Sequence, residues 1–177
     1  MVKILLEGRP GVGKTTLAIA VADALANRGV EVGGFTTEEI RERGSRVGFA
    51  IEAIGGDRDV MAHLDYSGPP RVGKYGVDLE ALERIALPAL DKRPEVLVID
   101  ELGKMELYSQ ALCNAVTAAM GEGNVVATVQ ATSHPFTDAL KSRDNVTVIQ
   151  VTRANRDELR ESVVAELTRP SAPPATA

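Results

Sequence analysis

Eight residues near the start of this 177-residue chain constrain its fold more than any others. Gly8-Arg9-Pro10-Gly11-Val12-Gly13-Lys14-Thr15 fits the pattern G-x-x-x-x-G-K-[ST]. Chance matches in a chain of this length have odds on the order of one per cent or less. The pattern works when a strand delivers the loop and a helix carries it away. Both are legible: residues 2–7 read as a short buried strand, and 13–27 as an Ala-rich helix with Leu17, Val21 and Leu25 at four-residue spacing. Glycines let successive N–H groups curl toward one anion, and the helix N-terminus adds positive potential. In such a loop Lys14 reaches the β- and γ-phosphates of a nucleotide, and the Thr15 hydroxyl binds Mg²⁺. Thr16 completes the segment in the first turn.

The rest of the chain repeats strand and helix. Residues 30–37 are a strand candidate, and 96–99, 124–129 and 146–151 are apolar runs of buried strands; 78–90, 109–120, 135–141 and 155–167 carry helical spacing. Pro88 is expected to kink or end the second helix in its last turn. One stretch breaks the pattern. Val47, Phe49, Ile51 and Ala53 alternate, and the turn 42–45 joins them to residues 35–41 as an antiparallel hairpin. Residues 57–65 are a further short strand and 67–70 a loop. Such a pattern predicts an α/β fold over residues 1–168, and with the loop at 8–15 it resembles a three-layer, RecA-like P-loop NTPase domain. Its mostly parallel sheet carries a hairpin insertion at about 33–54. The Pro-rich end, 169–177, reads as a disordered tail.

Composition narrows the partners. Twenty Lys and Arg against 25 Asp and Glu leave a net charge of −5, and aromatics are 3% with no Trp. Nucleic-acid polymers are poorly served by both. No apolar run is long enough to span a membrane, and charges at Glu7, Arg9 and Lys14 interrupt any leader-like stretch. The lone Cys113 precludes an internal disulfide and suits a reducing, cytoplasmic setting. It lies in an apolar helical stretch, as a buried structural thiol does. Two histidines without paired ligand spacing argue against zinc.

The second chemical signal is Val96-Leu97-Val98-Ile99-Asp100-Glu101. An apolar strand ending in Asp is weak alone, but Mg²⁺ held by Thr15 needs a carboxylate across the site, and Asp100 supplies it. Glu101 follows directly, where a carboxylate can orient and deprotonate the water that attacks the γ-phosphate. A surface ion pair with Lys104 is its plain alternative. The chain thereby resembles P-loop NTPases with an added catalytic glutamate, whose sheets carry one strand between the P-loop strand and the Asp-bearing strand. That resemblance puts strand 124–129 between 2–7 and 96–99, and turns Thr128 or Gln130 toward the γ-phosphate as a sensor.

Further runs narrow the likeness: Gly34-Phe35-Thr36-Thr37-Glu38, then Asp100-Glu101-Leu102-Gly103-Lys104-Met105-Glu106, and Val151-Thr152-Arg153-Ala154-Asn155-Arg156 near the end. Across roughly residues 2–167 the chain resembles the small nucleoside-triphosphatase family known from thermophiles and as the cancer-related nucleoside-triphosphatase. The resemblance implies Mg²⁺-dependent hydrolysis of ATP, GTP, CTP and UTP to diphosphates with little base selectivity. It implies two nucleotide-binding segments, Gly8 to Thr15 and Leu97, Val98, Ile99, Asp100, Glu101, Leu102, Gly103 and Lys104. Glu101 matches the acid assigned to catalysis, with Lys14 stabilising charge on the transferring phosphate.

Lesser candidates remain. Arg41, Arg43 and Arg46 cluster on the hairpin turn, where one is able to act as an arginine finger or all form a solvated basic turn. Lys74 and Tyr75 sit in a glycine-flanked loop, lining a nucleotide or acceptor pocket or only packing it. Asn155 and Arg156 open the last helix, as base contacts or, for Asn155, as an N-cap. His63 and His134 read as structural. Two rivals to hydrolysis share these motifs: a nucleoside or nucleotide kinase, and a slow nucleotide-dependent switch.

Overall fold

A computed structural model describes residues 1–169. Its strands are β1 (Lys3–Gly8), β2 (Val32–Glu42), β3 (Ser45–Ala53), β4 (Arg58–His63), β5 (Arg71–Val72), β6 (Tyr75–Val77), β7 (Val96–Leu102), β8 (Asn124–Gln130) and β9 (Thr147–Gln150). The helices are α1 (Lys14–Ala26), α2 (Leu79–Asp91), α3 (Gln110–Glu122), α4 (Pro135–Lys141) and α5 (Arg156–Leu167). All nine strands join one sheet in the order β5-β6-β4-β3-β2-β7-β8-β1-β9. The run β2-β7-β8-β1-β9 is parallel, and the remaining pairings, from β2·β3 outward, are antiparallel. β8 therefore separates β1 from β7, as the likeness to glutamate-bearing P-loop NTPases implied.

Strand side chains alternate between two cores, which is why these runs read as continuously apolar. Leu5, Leu97, Ile99, Val125 and Ala127 face α2 and α3. Ile4, Leu6, Val96, Val98 and Val126 face α1 and α5. Helix α1 supplies Leu17, Val21 and Leu25, all 3% exposed or less. At roughly 2 kcal/mol for each fully buried Leu or Ile, these layers are the main force on the parallel half. Cys113 is buried in α3, inside this packing.

Several expectations shift. The antiparallel part does not stop at 54: β4, β5 and β6 extend it to Val77, using residues around 71–77 whose short, Gly-interrupted runs carry no clear period. Pro88 does not end α2, which runs on to Asp91. One lost backbone bond near the helix end is outweighed by burial of Ala89 and Leu90 beyond it. The last strand, expected to be buried, is the sheet edge, with Thr147 and Gln150 exposed. The hairpin turn holds: Arg43 and Gly44 have φ of 47° and 81°, the paired positive values of a tight two-residue turn. The proposed tail lies, beyond residue 169, outside the described residues.

Candidate active site

Parallel strands present their carboxyl ends on one edge, and there the chemistry collects. β1 ends at Gly8 and hands the chain to the loop before α1; β7 ends in Asp100 and Glu101; β8 ends in Thr128 and Gln130. The loop from β9 returns over the same edge into α5. β2 pairs with β7 only over Val32–Phe35, then continues past that edge with β3.

The loop curls through Gly11 and Gly13, at φ of 77° and 101°. Gly13 has a second constraint. A Cβ there would lie 2.6 Å from Nη1 of Arg156, whose guanidinium rests against the loop. Lys14 is 5% exposed. Its Nζ donates to the carbonyls of Gly8 at 3.1 Å and Arg9 at 3.5 Å, and lies 3.5 Å from Oε2 of Glu101. Thr16 is exposed in the first turn of α1.

Asp100 is fully buried. Its Oδ1 accepts from the hydroxyls of Thr128 at 2.6 Å and Thr15 at 3.1 Å, while buried Oδ2 has no partner. Burial raises its carboxyl from 3.8 to about 6, opposed by the two hydroxyls and reinforced by Glu101. An orphaned carboxylate oxygen beside a threonine hydroxyl suits a small hard cation completed by water and phosphate oxygens. Among the described residues no three or more His, Cys, Asp and Glu side chains are grouped so as to hold a metal ion. Thr15 and Asp100 fit Mg²⁺.

A one-residue register shift between Ile99 and Leu102 against β8 breaks the alternation of β7 at Asp100 and Glu101. Glu101 turns to the partly open side. It accepts from Nε2 of Gln130 at 2.8 Å and pairs with Lys14, not with Lys104, which is exposed on the following turn. Of the two β8 residues singled out as sensors, Thr128 is fully buried and committed to Asp100, whereas Gln130 holds Glu101.

Gly103 follows, pinched from three sides. A Cβ there would meet Glu101 Oε1 at 2.8 Å, Glu106 Oε2 at 3.0 Å and Gln130 Nε2 at 3.1 Å. Glu106 is buried, takes the Gly103 amide at 3.0 Å, and burial pushes its carboxyl up to about 8. The sequence marks it only as an acid in the run after Asp100; nothing in its spacing signals burial.

The lesser candidates divide. Arg46, Tyr75 and Lys74 form their own cluster on the antiparallel half: Arg46 donates to Tyr75 at 3.0 Å and pairs with Glu39, and Lys74 stands 5.4 Å from the Tyr75 ring. None of their polar contacts reaches the loop 8–15 or Asp100 and Glu101. Arg41 is likewise tied to Glu39 and Gly44. Asn155 stands at the N-cap of α5 but braces the preceding loop instead, accepting from Thr152 N and donating to Gln150 O. His134 caps α4 through Nδ1, and His63 accepts from Asp65 N.

A family model described as NTPase matches residues 3–164. The nucleoside-triphosphatase THEP1 of Thermotoga petrophila is 42% identical over 166 residues, covering 92% of this chain and 90% of the relative. The human cancer-related nucleoside-triphosphatase is 36% identical over 178 residues, covering 91% and 94%. In three dimensions the chain is similar to the crystal structure of THEP1 from Aquifex aeolicus, with a TM-score of 0.84 at 34% identity over 96% of this chain and all of that one. The solution structure of a human cancer-related nucleoside triphosphatase gives 0.85 at 34%, over 97% of this chain and all of that one. The loop at Gly8–Thr15 and the acids at the end of β7 thus sit in a chain that belongs to the nucleoside-triphosphatase family of P-loop proteins.

Proposed function

We propose that this protein hydrolyses nucleoside triphosphates to diphosphate and phosphate, with Mg²⁺ and with little selectivity among ATP, GTP, CTP and UTP. Family membership supports the triphosphatase activity itself. The observation that carries the choice of water as acceptor is Glu101, half-buried at the mouth of the loop, held by Gln130 and facing Lys14.

The P-loop amides and the N-terminus of α1 bind the β- and γ-phosphates. Lys14, released from the Gly8 and Arg9 carbonyls, takes up γ-phosphate oxygens and neutralises charge as the bond to the leaving oxygen lengthens. Glu101 then loses its lysine partner and is free to accept the proton of a water aimed at the γ-phosphorus. Thr15 and Asp100 would hold Mg²⁺, whose chemistry is to polarise the phosphate oxygens. Arg156 rests against Gly13, where a guanidinium can cover a base or sugar without reading base edges. That fits low selectivity. Leu97, Val98, Ile99 and Leu102 are buried and shape the backbone of the site, while Thr16, exposed in the first turn of α1, is open to the nucleotide. No helix among the described residues is long and apolar enough to cross a membrane. We place the enzyme in the cytoplasm on its thiol usage, with nucleotides rather than nucleic acid as partners.

The test is phosphate release from each of the four triphosphates, with Mg²⁺ and with chelator, in wild type and Lys14→Ala. Release from all four, lost with chelator and in the variant, is expected. Phosphate appearing only on an added nucleoside or nucleotide would establish a kinase instead; tight binding without turnover would establish a switch.

A further inference from the structure

We propose that Glu106 is a positioning residue for Glu101, fixing the base at the mouth of the phosphate site through the Gly103 turn. The inference rests on Glu101 being the base. Glu106 opens a short 3-10 turn, Glu106–Tyr108, just after β7. Its Oε2 accepts from the Gly103 amide, and the Gly103 carbonyl accepts in turn from Leu107 N at 3.1 Å. The turn is thus closed from both ends. Its Cα side forms a wall that Glu101 and Glu106 carboxyls and the Gln130 amide all approach, within 3.1 Å of where a Cβ would stand. Removing the Glu106 oxygen frees the Gly103 amide, and the wall behind Glu101 loosens.

Two carboxyl groups this close repel if both are charged. Burial keeps Glu106 neutral at pH 7, its carboxyl standing at about 8, so it backs Glu101 without competing for Lys14. The charges bearing on it are Glu101 and Asp100 of β7. Of the other charged groups, Lys14 of α1 is paired with Glu101, Lys104 in the same turn is exposed, and Glu83 of α2 accepts from Ser109 at the start of α3. Asp138 of α4 accepts from Ser133 beside the His134 cap. Gln130 of β8 is neutral. When Glu106 loses its proton, a buried negative charge appears beside the base, and no cation among the described residues is committed to it.

The experiment compares Glu106→Gln and Glu106→Leu with wild type in steady-state phosphate release from Mg²⁺-ATP between pH 6 and 9.5, beside Glu101→Gln. Glu106→Leu is expected to lose about 10–100-fold in kcat with KM unchanged, since the base shifts while the P-loop does not. Glu106→Gln keeps volume and an acceptor oxygen, so kcat at pH 7 stays within about threefold. Wild-type kcat should fall above about pH 8, and Glu106→Gln should lack that fall. Wild-type turnover in Glu106→Leu, or a Gln variant as slow as the Leu variant, overturns the assignment; so does one alkaline limb shared by wild type and Glu106→Gln. If the Leu variant does not fold, the Gln comparison decides. Full turnover in Glu101→Gln removes the base reading and this inference with it. A dead Glu101→Gln beside an unimpaired Glu106→Leu removes this inference alone.

Discussion

Gly103→Ala isolates the geometry of the base from nucleotide binding. The added methyl would stand 2.8 Å from Glu101 Oε1, 3.0 Å from Glu106 Oε2 and 3.1 Å from Gln130 Nε2. Ordinary contact needs about 3.4 Å or more, so Glu101 must retreat by roughly half an ångström and the others by less. Glu106 is buried and holds the Gly103 amide, so it yields little; Glu101 is the one with room to move. Overpacking of this size costs about 1–3 kcal/mol in a rigid core, and the flexible end of Glu101 puts the figure near 1. Catalysis is less forgiving, because a misplacement near 1 Å can cost about 100-fold. We expect kcat to fall about 10–100-fold, KM for Mg²⁺-ATP to hold, and the melting temperature to drop only about 2–4 °C. Steady-state phosphate release and a thermal melt read all three. Unchanged kcat would refute the reasoning, because Glu101 would then tolerate displacement. So would a large rise in KM, because the turn would then belong to nucleotide binding.

Other outcomes follow from named groups. Folded Asp100 keeps its proton to about pH 6 rather than 3.8, so its contribution to stability declines as pH rises between those values. The cost, fully present above pH 6, is roughly 3 kcal/mol. Glu106 adds a decline of the same sign between pH 4.5 and about 8. With chelator present, urea unfolding of wild type should therefore lose roughly 2 kcal/mol more between pH 4 and 7 than Asp100→Asn, the rest of the cost falling below pH 4. Parallel curves would contradict this. Lys141 pairs with Glu7 at the end of β1 and donates to the Gln130 carbonyl, both partners being mostly buried. Despite burial, Lys141 and Gln150 hold the Glu7 carboxyl below its ordinary value. Lys141→Met should cost about 1–3 kcal/mol at pH 7, a gap that closes as pH falls through the carboxylate range; a constant gap would mean lost packing alone. Gly34 has a φ of 104°, and a Cβ there would meet the Val98 carbonyl at 2.0 Å. Gly34→Ala should leave little folded protein at 37 °C, by circular dichroism.

Strand identity in the parallel half was legible because each strand faces a core on both sides. Four consecutive apolar residues such as Val96 to Ile99 leave few other readings. The hairpin was legible from a different signal, the alternation of Val47, Phe49, Ile51 and Ala53 beside a four-residue turn, although Gly48 and Ala50 on the other face are buried as well. β5 and β6 were not, since two- and three-residue strands carry no period. The P-loop could be read whole, as its chemistry is written in contiguous residues. Glu106 could not, because its role comes from a turn that buries it against Glu101 and Gly103. Thr128 shows the same limit. Its position at the end of β8 followed from strand order, but whether it met phosphate or Asp100 depended on a rotamer that no spacing encodes.

The account turns on Glu101 as the group that activates water. Single-turnover hydrolysis of γ-labelled ATP by Glu101→Gln, with binding of a fluorescent ATP analogue measured in parallel, tests this most directly. Loss of the base should slow phosphate release by about 100–10,000-fold while nucleotide affinity changes less than about threefold. Release within tenfold of wild type would contradict the account.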